Sequence, residues 1–169
     1  MEPTRTLSYL LHPPALDQVG LVGALKWYVE GFALRSGIQV DISSMEDVGR
    51  LPGDVETALF RVVQESLTSI SRHSGSSTAI IKLDRQEDQI VLQITDHGRG
   101  MSRIALSDAD GSASMGVGIP GMRQRLRQFD GVLNIVSNER GTMVTASVPA
   151  RSGRIDDSYL VGRRSPAST

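Results

Sequence analysis

Three short stretches of this chain carry residue types that could do chemistry. The first runs Gln64-Glu65-Ser66-Leu67-Thr68-Ser69-Ile70-Ser71-Arg72-His73. On a helix, four residues turn through about 400°, so Glu65 and Ser69 point the same way one turn apart, with Arg72 on that side too. A carboxylate, a hydroxyl and a guanidinium on one face could hold a metal ion, a water and a phosphate respectively. A solvated helix face with an internal ion pair shows the same pattern. The second stretch is Asp96-His97-Gly98-Arg99-Gly100, directly behind a run rich in Ile and Val. An aspartate at a strand end can accept a hydrogen bond from an exocyclic amine while the glycines leave room for a flat base. The same residues also make an ordinary tight turn. The third is Gly116-Val117-Gly118-Ile119-Pro120-Gly121-Met122-Arg123, opening a helix. Backbone amides at a glycine-rich helix start bind anions without any side chain. No Gly-Lys-Ser/Thr follows, so this is not a Walker A loop. Nor do the glycines sit between the first strand and first helix of a βαβ unit, as a dinucleotide fingerprint requires. Taken singly, it also reads as a flexible loop with a glycine entry to a helix.

The elements that must position these residues are legible from periodicity. Residues 1–16 read as a lead-in stopped at Pro13-Pro14. Asp17 can cap a helix to about Ser36, with Leu21, Leu25, Tyr28 and Phe32 at helical spacing and Gly37 as its stop. Residues 38–42 alternate apolar and polar and predict a half-buried strand. After a polar loop ending at Pro52-Gly53, a long helix is expected from about 54 to 73. Leu59, Val62, Val63, Leu67 and Ile70 form its apolar stripe, and Arg61, Glu65, Ser69 and Arg72 share another face. Residues 78–84 and 89–95 predict a hairpin around Arg85-Gln86-Glu87-Asp88.

From 96 to 120 glycine, serine and aspartate dominate, a composition expected of a functional or mobile connection. A helix resumes near 118 and runs to about 129. Two last strands, 132–137 and 143–149, flank an Asn138-Glu139-Arg140-Gly141 turn. Residues 151–169 carry Pro, Ser, Gly and four arginines and read as a disordered tail. Strands joined by short turns, with helices in unequal clusters, indicate a two-layer α/β sandwich: a mixed sheet with about three helices on one face.

Bulk composition bounds the rest. The chain has 169 residues, one ordinary domain with some length to spare. Hydrophobic content of 39% and charged content of 22% are those of a globular protein, and 4% aromatics means an aliphatic core. A net charge of −1 argues against a dedicated nucleic-acid binder. With no cysteine there is no disulfide framework, thiolate zinc site or cysteine nucleophile. No apolar run approaches a membrane span, and the start does not read as a signal peptide, so a cytoplasmic location is expected.

Together the three stretches resemble the N, G1 and G2 boxes of the GHKL ATPases, the superfamily that includes gyrase, histidine kinases and MutL. Within it, the chain is similar to sensor histidine kinases of the NarX/DesK/LiaS type. There the helix commonly reads Gln-Glu-Ala-Leu-Thr-Asn-x-x-Lys-His-Ala, against Gln64 to Ser74 here. The later Gly-x-Gly-Leu-x-Gly-Met-Arg-Glu-Arg block matches Gly116 to Arg125. Gly141-Thr142 and Val148-Pro149 resemble the closing hairpin. The entry Leu11-His12-Pro13-Pro14-Ala15-Leu16-Asp17, with Gly20-Leu21, resembles the family's Pro-Pro linker. The resemblance covers about residues 7–150.

It implies a Bergerat-type ATP-binding fold over 17–150, preceded by the end of a dimerisation helix and linker over 1–16. It further implies Mg·ATP bound under a lid of about 101–117. Asp96 would receive the adenine amine, with Gly98 and Gly100 making room for the ring. Gly116, Gly118 and Gly121 would offer amides to the phosphates. Glu65 and Ser69 would stand at the metal, Arg72 at the phosphate end, and His73 and Thr142 would complete the nucleotide contacts. Glu65 would also act as catalytic base toward a histidine on a separate dimerisation domain, from which phosphate passes to a response regulator. The fragment itself would contact no membrane and no nucleic acid.

The resemblance departs from the family at Ser69, which stands where relatives carry a metal-binding asparagine. That departure motivates a second reading, a pseudokinase-like nucleotide-binding or protein-interaction module without phosphotransfer. A serine kinase of the anti-sigma type is a third, against which the Gly-Met-Arg block and the Pro-Pro linker speak. None of His12, His73 and His97 lies in a phosphoacceptor context, so the stretch alone is not expected to phosphorylate itself.

Overall fold

Helix α1 spans Pro14–Ser36 in a computed structural model that describes residues 14–45, 48–101 and 118–150. Pro14 opens this helix rather than stopping the chain before it, since proline lacks only an amide that a first turn leaves unbonded. The helix is broken at Gly20 (φ 68°, ψ −178°), a backbone state closed to other residues. Arg50 closes the break by donating from Nη1 to the Asp17 carbonyl at 3.3 Å. The same guanidinium lies 3.4 Å through Nε from the buried Glu56 carboxylate, which also accepts from the Leu51 amide at 3.1 Å. These contacts pin the kink in α1 to the start of the second helix.

That helix, α2, spans Gly53–Ser69 and buries Val55, Leu59, Val62, Val63 and Leu67, as its apolar stripe requires. It does not run as an α-helix to 73. Ile70–Ser74 form a π-turn, closed by Gly75 in the left-handed region (φ 70°). The Ser74 hydroxyl donates to the Ile70 carbonyl at 2.9 Å.

Among the described residues five strands form one sheet: β1 (Gln39–Met45), β2 (Thr78–Gln86), β3 (Gln89–Asp96), β4 (Val132–Asn138) and β5 (Gly141–Pro149). Their order is β1-β2-β3-β5-β4, with β1 parallel to β2 and every other pair antiparallel. The β2–β3 hairpin turns on only Glu87 and Asp88, with Glu87 at φ 52°, so both strands are longer than periodicity alone indicated. Helix α3 (Gly118–Arg127) ends two residues earlier than expected, and Gly131 donates back to the Leu126 carbonyl at 2.8 Å.

Alternation decides which side is covered. Ile81, Leu83, Ile90, Leu92, Ile94, Ala146 and Val148 are buried, together with Leu25, Leu59, Val63, Leu67 and Leu126 of the helices. Val132, Val136 and Met143 on the other face are exposed. The expected two-layer α/β sandwich is what forms. Fully burying each such aliphatic side chain contributes roughly 1.5–3 kcal/mol, which fixes the register of the strands that carry the site.

Candidate functional site

Two of the three chemical stretches meet where β3 ends. Asp96 is only 4% exposed, and its Oδ1 accepts from the Gly98 amide at 2.8 Å, folding the loop back on itself. Register pairs Asp96 with Thr142 on β5, and Thr142 in turn with Ser137 on β4. The Thr142 and Ser137 hydroxyls are 2.8 Å apart, and Ser137 Oγ also accepts from the Met101 amide at 2.8 Å. A carboxylate and two hydroxyls thus lie in a row across three strands, at the mouth of the glycine loop.

The loop docks onto the end of the long helix. Arg99 donates from its amide to the Ser74 carbonyl at 2.9 Å and from Nε to the His73 carbonyl at 2.8 Å. Its glycines are demanded by protein backbone. A Cβ on Gly98 would stand 2.2 Å from the Ser74 oxygen, and one on Gly100, at φ 71°, 2.0 Å from the Asn138 oxygen. Gly141 is held the same way against the Asp96 carbonyl.

The second junction joins α2 to α3. Glu65 is half-buried, and its Oε2 lies 3.4 Å from where a Cβ on Gly118 would be, so the start of α3 sits directly over this carboxylate. Ser69, Arg72 and His73 are exposed along the rest of that helix edge, with Arg72 and His73 turned by the π-turn off a straight continuation. Gly121 lies in the first turn of α3. Gly116 and the expected lid, apart from Met101, lie outside the described residues, as do residues 1–13 with His12 and the tail over 151–169.

The sequence pattern of the histidine kinase-, DNA gyrase B-, and HSP90-like ATPases matches residues 54–152. The chain belongs to that family. Sensor histidine kinase MctS of Rhizobium johnstonii is 36% identical over 151 residues, covering 89% of this chain and 32% of that protein. Oxygen sensor histidine kinase NreB of Staphylococcus carnosus is 32% identical over 150 residues, covering 88% and 42%. The chain thus spans well under half the length of these relatives. The histidine kinase domain of a blue-light activated kinase from Erythrobacter litoralis superposes with a TM-score of 0.63 at 21% identity, over 77% of this chain and 65% of that one. The catalytic domain of histidine kinase ThkA gives 0.62 at 12% identity, over 77% and 91%. At those identities the likeness is one of fold. Together these matches make this GHKL chain an ATP-binding catalytic domain of the sensor histidine kinase kind.

Two members of the site escaped sequence reasoning. Ser137 is separated from Asp96 by the whole lid and α3, and only strand register brings it to Thr142. Ser74 closes the helix stretch in the sequence, and its carbonyl anchors the glycine loop by accepting from the Arg99 amide. A cue for Ser137 lay in its place just ahead of the last turn, where a strand end should oppose Gly141-Thr142.

Burial pushes the Tyr28 hydroxyl above its ordinary value of 10.0; the nearby Arg35 charge lowers it, and Glu65 adds to the rise. Burial, and next the Arg125 charge, lower the pKa of Arg61, while Glu65 acts in the opposite sense. Among the described residues no three His, Asp or Glu side chains cluster as a metal cage. Mg²⁺ does not need one, since it commonly takes one or two protein groups and completes its octahedron with phosphate oxygens and water. Glu65 with Ser69 one turn on is a donor set of that kind. No helix among the described residues is long and apolar enough to cross a membrane.

Proposed function

We propose that this catalytic domain binds Mg·ATP between α2 and the sheet and donates the γ-phosphate to a histidine on a separate dimerisation domain, for relay to a response regulator. What supports this reading best is Asp96: a buried carboxylate at the end of a central strand, its loop docked on the helix that carries Glu65. Asp96 accepts the adenine amine, and Thr142 and His73 flank the base. The amides of Gly118 and Gly121 bind the phosphates, with Arg72 at their outer end, and Gly116 would supply a further amide. Glu65 and Ser69 hold Mg²⁺, which when bound offsets phosphate charge. Glu65 also accepts the proton of the attacking imidazole as the nitrogen–phosphorus bond forms and the bond to the leaving ADP oxygen breaks. The NreB and MctS names point to the same chemistry for the proteins that bear them.

The exposed Ser69 keeps a second reading in play, a domain that binds nucleotide or a protein partner and transfers no phosphate. Calorimetry of Asp96→Asn tests the shared nucleotide site. A charge-assisted hydrogen bond contributes roughly 1.5–3 kcal/mol, so ATP affinity should fall about tenfold or more. Unchanged affinity in a folded variant would remove Asp96 from the site.

A further inference from the structure

A serine hydroxyl has one proton to donate and two lone pairs with which to accept. At Ser137 the neighbouring groups decide how these are used. The Met101 amide donates to Ser137 Oγ at 2.8 Å and occupies one lone pair. That approach needs Gly100, since a Cβ there would stand 3.1 Å from Ser137 Oγ and 2.0 Å from the Asn138 carbonyl oxygen. Two acceptors then compete for the Ser137 proton, Thr142 Oγ1 at 2.8 Å and the Gly141 carbonyl at 3.4 Å. The shorter contact has the preferred length of a hydroxyl hydrogen bond, and the longer one lies well beyond it. The amide bond that Ser137 accepts also polarises its hydroxyl and makes it a better donor. The Ser137 proton therefore goes to Thr142. Accepting from Ser137, Thr142 keeps its own proton to give away. Register sets Thr142 opposite Asp96, so the two side chains share one face of the sheet. Asp96 Oδ1 is taken by the Gly98 amide at 2.8 Å, which leaves Oδ2 to accept. The strand ends thus present an acceptor beside a donor.

We propose that Ser137 is a positioning residue for base recognition: by donating to Thr142, it fixes the Thr142 hydroxyl as a donor to ring nitrogen N1 of the adenine whose amine Asp96 receives. This assignment deepens the nucleotide reading above and rests on it. On that edge adenine shows an amine next to a bare ring nitrogen, the complement of Asp96 and Thr142. Guanine and hypoxanthine show the reverse, a carbonyl oxygen next to an N–H. They set oxygen against carboxylate and donor against donor, and a site built from buried polar groups rejects such a mismatch strongly. A serine–threonine bond can run in either direction. Here its direction decides which base fits, because a Thr142 hydroxyl released from Ser137 can turn and accept instead.

The test compares ATP with 1-deaza-ATP, in which a C–H group replaces N1 and the amine is kept, by calorimetry on the 169-residue chain. The unaltered protein should bind ATP about tenfold tighter than 1-deaza-ATP. In Ser137→Ala the Thr142 hydroxyl is free to turn, and the preference should shrink to about twofold. Circular dichroism checks that this variant folds. If it does not, Ser137→Cys, which keeps the shape but has only a weak thiol donor, should shrink the preference in the same way. A residue that merely held the Met101 loop in place would weaken both nucleotides alike and leave their ratio untouched. An unchanged ratio in the folded variant therefore overturns the proposal. Equal binding of the two nucleotides by the unaltered chain overturns it as well, while leaving the nucleotide reading intact. Binding of neither would sink the nucleotide reading and this assignment with it.

Discussion

Gly98 lies so close to Ser74 that a Cβ on it would stand 2.2 Å from the Ser74 carbonyl oxygen. That oxygen is already bonded to the Arg99 amide, so the loop behind Asp96 and the end of the long helix are one unit. Gly98→Ala must push them apart and open the bond. We expect a loss of about 1–3 kcal/mol in stability, the usual range for overpacking, with weaker ATP binding besides. Urea unfolding measures the first effect; an unchanged midpoint would mean that the loop yields freely and is not anchored at Ser74.

Ser66 points to a gain. Its hydroxyl is buried and has no hydrogen-bond partner among the described residues. Alanine removes an unsatisfied group and suits a helix interior better, so Ser66→Ala should raise stability by about 1 kcal/mol. A drop in the denaturant midpoint would show that the hydroxyl is partnered in solution.

Tyr28 predicts an alkaline effect. Its folded pKa is raised, first by burial, above the ordinary 10.0. The unfolded chain therefore releases this proton at lower pH than the folded one, so stability falls as pH rises past about 10 until the folded group also ionises. Tyr28→Phe should remove that part of the decline and leave the curve below pH 9 parallel to the original. Identical slopes above pH 10 in both proteins would contradict a shifted Tyr28.

Ser69 separates kinase from non-transferring module. Octahedral Mg²⁺ at about 2.1 Å tolerates little misplacement, and a serine oxygen sits nearer the helix backbone than an asparagine oxygen does. Ser69→Asn should tighten Mg²⁺-dependent ATP binding several-fold, about 1 kcal/mol, while binding in EDTA stays nearly unchanged. A fluorescent ATP analogue titrated under both conditions decides it. Equal affinity in Mg²⁺ would show serine to be an adequate ligand and leave the non-transferring reading without its main support.

Much of this protein was determined by the order of its residues alone. Apolar spacing in 54–70 and alternation in 78–95 and 132–149 set the helix, the hairpins and the covered sheet face, because burial permits only one phase of each pattern. The Glu65, Asp96 and Gly118 stretches were visible as chemistry because their residue types are unusual together. Tertiary structure decided what long-range geometry must. The π-turn at Ile70–Ser74 arises where the helix end meets the Arg99 loop, and no local propensity encodes it. Ser137 joins Thr142 only through the β4–β5 register. Gly98 and Gly100 are set by the approach of Ser74 and Asn138 backbone, segments distant in sequence, so their lack of a side chain could be read from the sequence while its cause could not.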